Sequence, residues 1–282
     1  MLRPPRRPAR PGGVSVSERW PILDYPGRGR AVIEPGPLLE HKRRVPAGCV
    51  LCFFREVLRE RQRDGELAPL LRLRSEAEPI QVYRLGSGRR ALTVAFPGVG
   101  APFAAAVLEE LIALGARRFI VCGGAGVLDG GIAPGSWIVP AAALRDEGTS
   151  YHYLPPGRTV RPDRGARRAL LAACRGRGGE PLGGMSWTTD AVYRETAAKV
   201  RRRRSEGCLT VEMEAAALFA VARFRRVALA QILYAGDDVS GSEWDDRDWA
   251  RLRRVRRELF ALAVTACRRL DRSSQGNSRA KG

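Results

Sequence analysis

The stretch "LTVEMEAAALFAVA", Leu209–Ala222, reads as an apolar strand running straight into an apolar helix, with two carboxylates at the junction. Glu212 and Glu214 are two residues apart, so in extended chain they point to one side and Met213 to the other. The helix that follows is apolar nearly all round and is expected to be buried. Carboxylates entering a buried helix need partners, because an unpaired buried charge is costly. A structural reading pairs them with arginines or with the helix N-terminus. A functional reading has them accept hydrogen bonds from ligand hydroxyls, for which a vicinal diol is well suited. Spacing alone leaves both open.

The same strand-then-helix grammar runs along the chain. "CVLCF", "IQVYRL", "ALTVAF", "RFIVCG", "SWIVP", "CLTVE" and "VALAQILY" are short apolar runs bounded by turn signals, as expected of strands in a covered sheet. Helical stretches lie between several of them, including "AAAVLEELIALGA", "ARRALLAACRG" and the long, arginine-faced "RDWARLRRVRRELFALAVTACRRL". This alternation predicts an α/β fold with helices on both faces of the sheet. Function in such sheets gathers at the carboxyl ends of strands. Four stretches fall there: "FPGVGAP" (Phe96–Pro102), "CGGAG" (Cys122–Gly126), "VEMEA" (Val211–Ala215) and "YAGDDVSG" (Tyr234–Gly241). The glycines at Gly123 and Gly124 allow close backbone approach to an anion or a sugar. Asp237 and Asp238 end a strand and can serve as acid or base, or as a helix cap.

A chain of 282 residues, 44% of them hydrophobic, is long enough to bury a full core. One large domain is expected over residues 19–271, opening with a proline-punctuated lead-in to about 48. Residues 1–18 and 272–282 read as disordered tails. The first of these lacks the apolar core of a signal peptide, and no apolar run is long enough to span a bilayer, so a cytoplasmic protein is expected. The net charge of +19 comes almost wholly from arginine, with lysine only at Lys42, Lys199 and Lys281. The arginines are spread along the chain without the interleaved aromatics of an RNA-binding module, so no specific nucleic-acid partner and no membrane partner is expected. Cys49 and Cys52 have CxxC spacing, but they lie in an apolar strand, and no second pair follows; no metal site is expected.

Taken together, "FPGVGAP", "RFIVCGGAGVLDGGIAPGSWIVPAAALRDEGTSYHYLPP", "WTTDAVYRET", "LTVEMEAAAL" and "YAGDD" resemble the nucleoside phosphorylase superfamily in order and spacing, over roughly Val45 to Val239. That superfamily includes uridine phosphorylases, purine nucleoside phosphorylases and methylthioadenosine nucleosidases. The resemblance implies a three-layer α/β/α sandwich with a mixed central sheet. It also implies a homo-oligomer, a dimer or a trimer of dimers. The implied activity is cleavage of a nucleoside by phosphate to free base and pentose 1-phosphate, with no cofactor beyond phosphate as co-substrate. The alternatives are hydrolysis of the same bond by water, and nucleoside binding without turnover.

The resemblance also assigns roles. Glu212, Met213 and Glu214 would hold the ribose, and Asp237 would protonate a purine leaving group. The base would sit near Trp187 and Tyr193, as stacking or wall residues or else as ordinary packing. The positions at which uridine phosphorylases read uracil, with a glutamine and an arginine, are Thr196 and Ala198 here. The usual phosphate loop is replaced by "CFFREVL", and the usual arginine and threonine by Val121 and Gly124. Arg55 and Arg145 are the substitutes considered for phosphate. Glu56 falls near the glutamate that activates water in the nucleosidases. His152 would either reach the site or hydrogen-bond within its own loop.

Overall fold

The computed structural model describes residues 20–76 and 78–279. The tail expected over residues 1–18 lies outside the described residues. A 3-10 turn at Pro21–Leu23 and α1 (Pro35–Leu39) precede the sheet. Then come β1 (Gly48–Cys52), α2 (Arg55–Arg63), β2 (Leu67–Leu73), β3 (Ile80–Leu85) and β4 (Leu92–Ala95). α3 (Ala101–Ala113) leads to β5 (Arg118–Val127), β6 (Trp137–Ile138) and β7 (Ala142–Asp146). α4 (Ser150–Tyr153), β8 (Thr159–Val160), α5 (Arg164–Arg175) and β9 (Met185–Thr189) follow. The chain closes through α6 (Ala197–Ser205), β10 (Cys208–Glu212), α7 (Ala215–Arg225), β11 (Ala228–Asp238) and α8 (Arg253–Arg279). The last helix thus continues through most of the stretch read from sequence as a second tail.

The strands form one mixed sheet in the order β2-β3-β4-β1-β5-β10-β9-β7-β8, with β11 added against β5 and β6 against β11. Side chains alternate along β5 and divide the core. Phe119 and Val121 face a layer that holds Leu108 and Leu111 of α3 and Leu218 and Phe219 of α7. Ile120 and Cys122 face the other layer, where Leu170 of α5 packs with Leu259 and Phe260 of α8. The result is the expected α/β/α sandwich. Each such buried leucine or phenylalanine contributes about 1.5–3 kcal/mol. Residues Ala215–Ala222 are buried on every side, as the apolar sequence of α7 requires.

What positions the site is a change of partner along β5. Its first half pairs in parallel with β1 as far as Cys52↔Cys122. Its end pairs antiparallel with β10, beginning at Val211↔Gly126. Over Gly123–Ala125 only β11 lies alongside, so one edge of the strand is open there. The "CGGAG" stretch, placed from sequence at the carboxyl end of a strand, is itself strand. Its glycines serve close packing: a Cβ on Gly124 would come within 2.9 Å of the Tyr234 ring.

Candidate active site

A cavity of about 910 Å³ opens at that gap. Its floor is Gly123–Gly126 of β5 and its walls include Val211–Glu214 from the end of β10. β11 contributes Gln231, Tyr234 and Asp237. The mouth carries Val99, Tyr193, Trp244 and Trp249, all exposed. This is the crevice beyond strand ends in which open α/β sheets place their ligands.

The two glutamates of the opening stretch have different work. Glu212 Oε1 accepts from Thr188 Oγ1 (2.6 Å) and Ser186 Oγ (3.3 Å). Its Oε2 accepts from the backbone N–H groups of Glu214 (2.8 Å) and Ala215 (2.6 Å). Burial pushes its carboxyl up and these four hydrogen bonds oppose the rise. Glu212 is thus a built-in cap for α7, satisfying N–H groups that a helix start leaves open. Glu212 lines the cavity, where the ribose contact expected from it would be made, with both of its oxygens already accepting hydrogen bonds within the protein. Glu214 is only 6% exposed; its Oε1 accepts from the Gly100 N–H at 2.6 Å, and the Met213 backbone also hydrogen-bonds its carboxyl. Burial, together with the charge of Glu212, pushes its carboxyl up to about 8. Glu212, Met213 and Glu214 all line the cavity.

At the far wall, both Asp237 oxygens lie close over Gly126, and Trp244 Nε1 donates to Oδ2 at 2.8 Å. Asp238 does not share this role. It is ion-paired with Arg247 and accepts from the Ser240 N–H. Beside Asp237 stands Glu195, which sequence reasoning passed over although it lies inside "WTTDAVYRET". It lines the cavity, and burial followed by the Asp237 charge pushes its carboxyl up to about 7.

The residues proposed from sequence for phosphate are elsewhere. Arg55 stacks over the Phe96 ring at 4.2 Å and pairs with Glu78 at 3.5 Å, outside the cavity. Arg145 is buried away from it, donating to Ser150 Oγ (2.8 Å) and to the carbonyls of Pro155 (2.8 Å) and Leu154 (3.2 Å). Arg145→Ala is expected to destabilise the fold by about 2–3 kcal/mol, the cost of several lost charged hydrogen bonds. Its phosphate dependence should stay that of wild type. Thermal denaturation and a phosphate titration check both. Glu56 does not line the cavity either; it pairs with Arg256 Nη1 at 2.6 Å. Among the described residues, the one cation on the cavity wall is Arg256, which sequence reasoning missed. It also donates to the Tyr234 hydroxyl (3.0 Å) and to the Trp249 carbonyl (3.1 Å). Nearby, Gln231 is 2% exposed and its Oε1 accepts no hydrogen bond among the described residues.

Of the other candidates, Gly123, Gly124 and Tyr193 line the cavity. Trp187 does not. It is fully buried and donates to Asp146 Oδ2 at 2.9 Å, beneath Lys199 and Arg203, so it is core. His152 is exposed on α4 and does not line the cavity. Thr196 caps α6 with its side chain and Ala198 is exposed, so neither offers the paired polar groups that would read uracil.

The chain is 33% identical over 161 residues to a guanosine phosphorylase of Halorubrum lacusprofundi, covering 55% of this chain and 66% of the relative. It is 24% identical over 193 residues to a uridine phosphorylase of Haemophilus influenzae, covering 64% of this chain and 76% of that one. Two solved structures share the fold. An AMP nucleosidase of Bacteroides thetaiotaomicron superposes with a TM-score of 0.67 at 20% identity, covering 86% of this chain and 97% of its own. A purine nucleoside phosphorylase of Toxoplasma gondii gives 0.66 at 21%, covering 82% and 93%. The family model described as the phosphorylase superfamily matches residues 62–268, and the chain belongs to that superfamily.

Proposed function

We propose that this protein cleaves the N-glycosidic bond of a purine nucleoside with phosphate, giving free base and pentose 1-phosphate. The observation that carries the reading is Glu214: a buried carboxyl on the wall of a cavity that Asp237 and Glu195 also line. Glu214 accepts the ribose hydroxyls. As the bond to the base lengthens, positive charge grows on the sugar; that charge favours the ionised form of Glu214, which in turn stabilises it. The carboxyl groups at the base end supply the proton that lets a purine leave as a neutral molecule. The absence of uracil-reading groups at Thr196 and Ala198, and the name of the guanosine phosphorylase relative, support a purine.

Phosphate is assigned to Arg256, whose guanidinium has N–H groups left after its three internal bonds. A phosphate titration of wild type and Arg256→Gln tests this. The expected result is phosphate-dependent turnover, with the phosphate KM raised about 10–100-fold in the variant, the loss of one charge-assisted contact. A second reading, hydrolysis by water, is favoured by the positions of Arg55 and Arg145 outside the cavity. Turnover of wild type that ignores phosphate would establish it.

A further inference from the structure

Successive side chains of β11 alternate between two faces. Ala230, Ile232 and Tyr234 pack into the layer that holds α8. On the other face, Leu229 packs into the layer of α3 and α7, and Leu233 and Ala235 into a small cluster with Ala125 and Val127. Gln231 interrupts this second, otherwise apolar face. It is paired in register with Val121, is 2% exposed and lines the cavity. Of the cavity-lining side chains, it alone carries a buried polar atom, Oε1, with no hydrogen bond among the described residues. A buried amide without a partner is costly, and an apolar residue would serve the fold better there. The next position on this face of β5 is Gly123, paired with Leu233, and it has no side chain to lie over the amide. The face also decides which part of a ligand Gln231 meets. The Tyr234 hydroxyl, with Arg256 bonded to it, belongs to the α8 side of the strand. Glu214 belongs to the side of Gln231: it stands at the N-terminus of α7 and accepts from Gly100 at the N-terminus of α3. Val121, Gly123 and Leu233 beside the amide are uncharged, so nothing on this face favours an anion. A hydroxyl both donates and accepts, and so meets either end of an amide.

We propose that Gln231 is a second ligand for the sugar, bonding a ribose hydroxyl alongside Glu214, and that it makes the site select ribonucleosides over a deoxy analogue. The proposal rests on the nucleoside-cleaving reading above. With ribose bound, the amide gains the partner that the protein does not give it. With that hydroxyl missing, the sugar still fits, but the amide stays buried against carbon and out of reach of water. Under this condition a binding site rejects an analogue lacking one hydroxyl far more strongly than one lacking a methylene. Selection comes from an unmet hydrogen bond, with no steric exclusion.

The test uses Gln231→Met, which keeps the length of the side chain and removes its amide. kcat/KM is measured for inosine and its 2′-, 3′- and 5′-deoxy analogues, beside thermal denaturation without ligand. The variant is expected to melt about 2–4 °C above wild type, since an unpaired buried amide is gone. It should cleave inosine about 10–100-fold less efficiently, the loss of one buried hydrogen bond to the substrate. On the analogue that lacks the hydroxyl bound by Gln231, it should match or exceed wild type, so the preference of wild type for inosine over that analogue falls by the same factor. The other two analogues should lose as inosine does. Equal losses on all four substrates would overturn the assignment. Unchanged kinetics would overturn it too, leaving the amide to a water molecule, as would a change confined to the phosphate KM, which would put Gln231 at the nucleophile. Wild type that cleaves none of the four would overturn the nucleoside-cleaving reading itself, and this assignment with it.

Discussion

Glu214→Ala is expected to lower kcat/KM for nucleoside cleavage by about 10²–10³-fold, the equivalent of about 3–4 kcal/mol lost from the transition state. The figure follows from two hydroxyl-to-carboxylate hydrogen bonds at about 1.5–3 kcal/mol each, not fully additive. The fold should survive, because Glu214 accepts only backbone hydrogen bonds, from Gly100 and Met213, while α7 is capped by Glu212. A pH effect accompanies this. The carboxyl of Glu214 lies near 8 in the folded protein, well above an ordinary glutamate. Between the two values the unfolded chain has released this proton while the folded chain holds it. By linkage the folded state then loses stability as pH rises from about 4.5 to 8. The melting temperature of wild type should therefore fall over that window more steeply than that of Glu214→Gln. Parallel curves, or near-normal turnover of Glu214→Ala, would count against the assignment.

Trp187→Ala is the largest stability change expected, a loss of about 3–5 kcal/mol, typical of a buried tryptophan replaced by alanine. The ring fills the core beside Leu144, Val200 and Val211, and its N–H joins Lys199 and Arg203 on one oxygen of Asp146. Burial opposes ionisation of Asp146, but the hydrogen bonds from Lys199 and Arg203 hold its carboxyl below the usual range. Removing the indole leaves a cavity under that cluster. Denaturant unfolding measures the loss. At a temperature where the variant is still folded, its KM for nucleoside should be close to that of wild type. A specific rise in KM with little change in stability would return Trp187 to the base site.

The apolar runs from "CVLCF" to "VALAQILY" all contain strands, because a covered strand announces itself by continuous hydrophobicity. β9, "MSWTT", carries no such signal. Its Ser186 and Thr188 are fully buried, and they are inside because they hold Glu212. The same contact explains why spacing could not separate Glu212 from Glu214: the side chains that occupy one of them come from 24 and 26 residues away. "CGGAG" misled for a related reason. Glycines usually mark turns, whereas here they thin a strand so that the Tyr234 ring can approach. Arg256 was hidden by composition among Arg253, Arg254 and Arg257. Its signal was position, on the inward stripe with Leu252, Val255, Leu259 and Phe260.

The central claim is that the Glu214 cavity breaks the bond between a purine and its pentose. The most direct measurement is chromatography of products after the full chain is incubated with purine nucleosides, with and without phosphate. The account predicts free purine together with pentose 1-phosphate, formed only when phosphate is present. Free purine with free pentose in phosphate-free buffer would keep the cavity and replace the nucleophile by water. No base release from any purine nucleoside, in either buffer, would contradict the account.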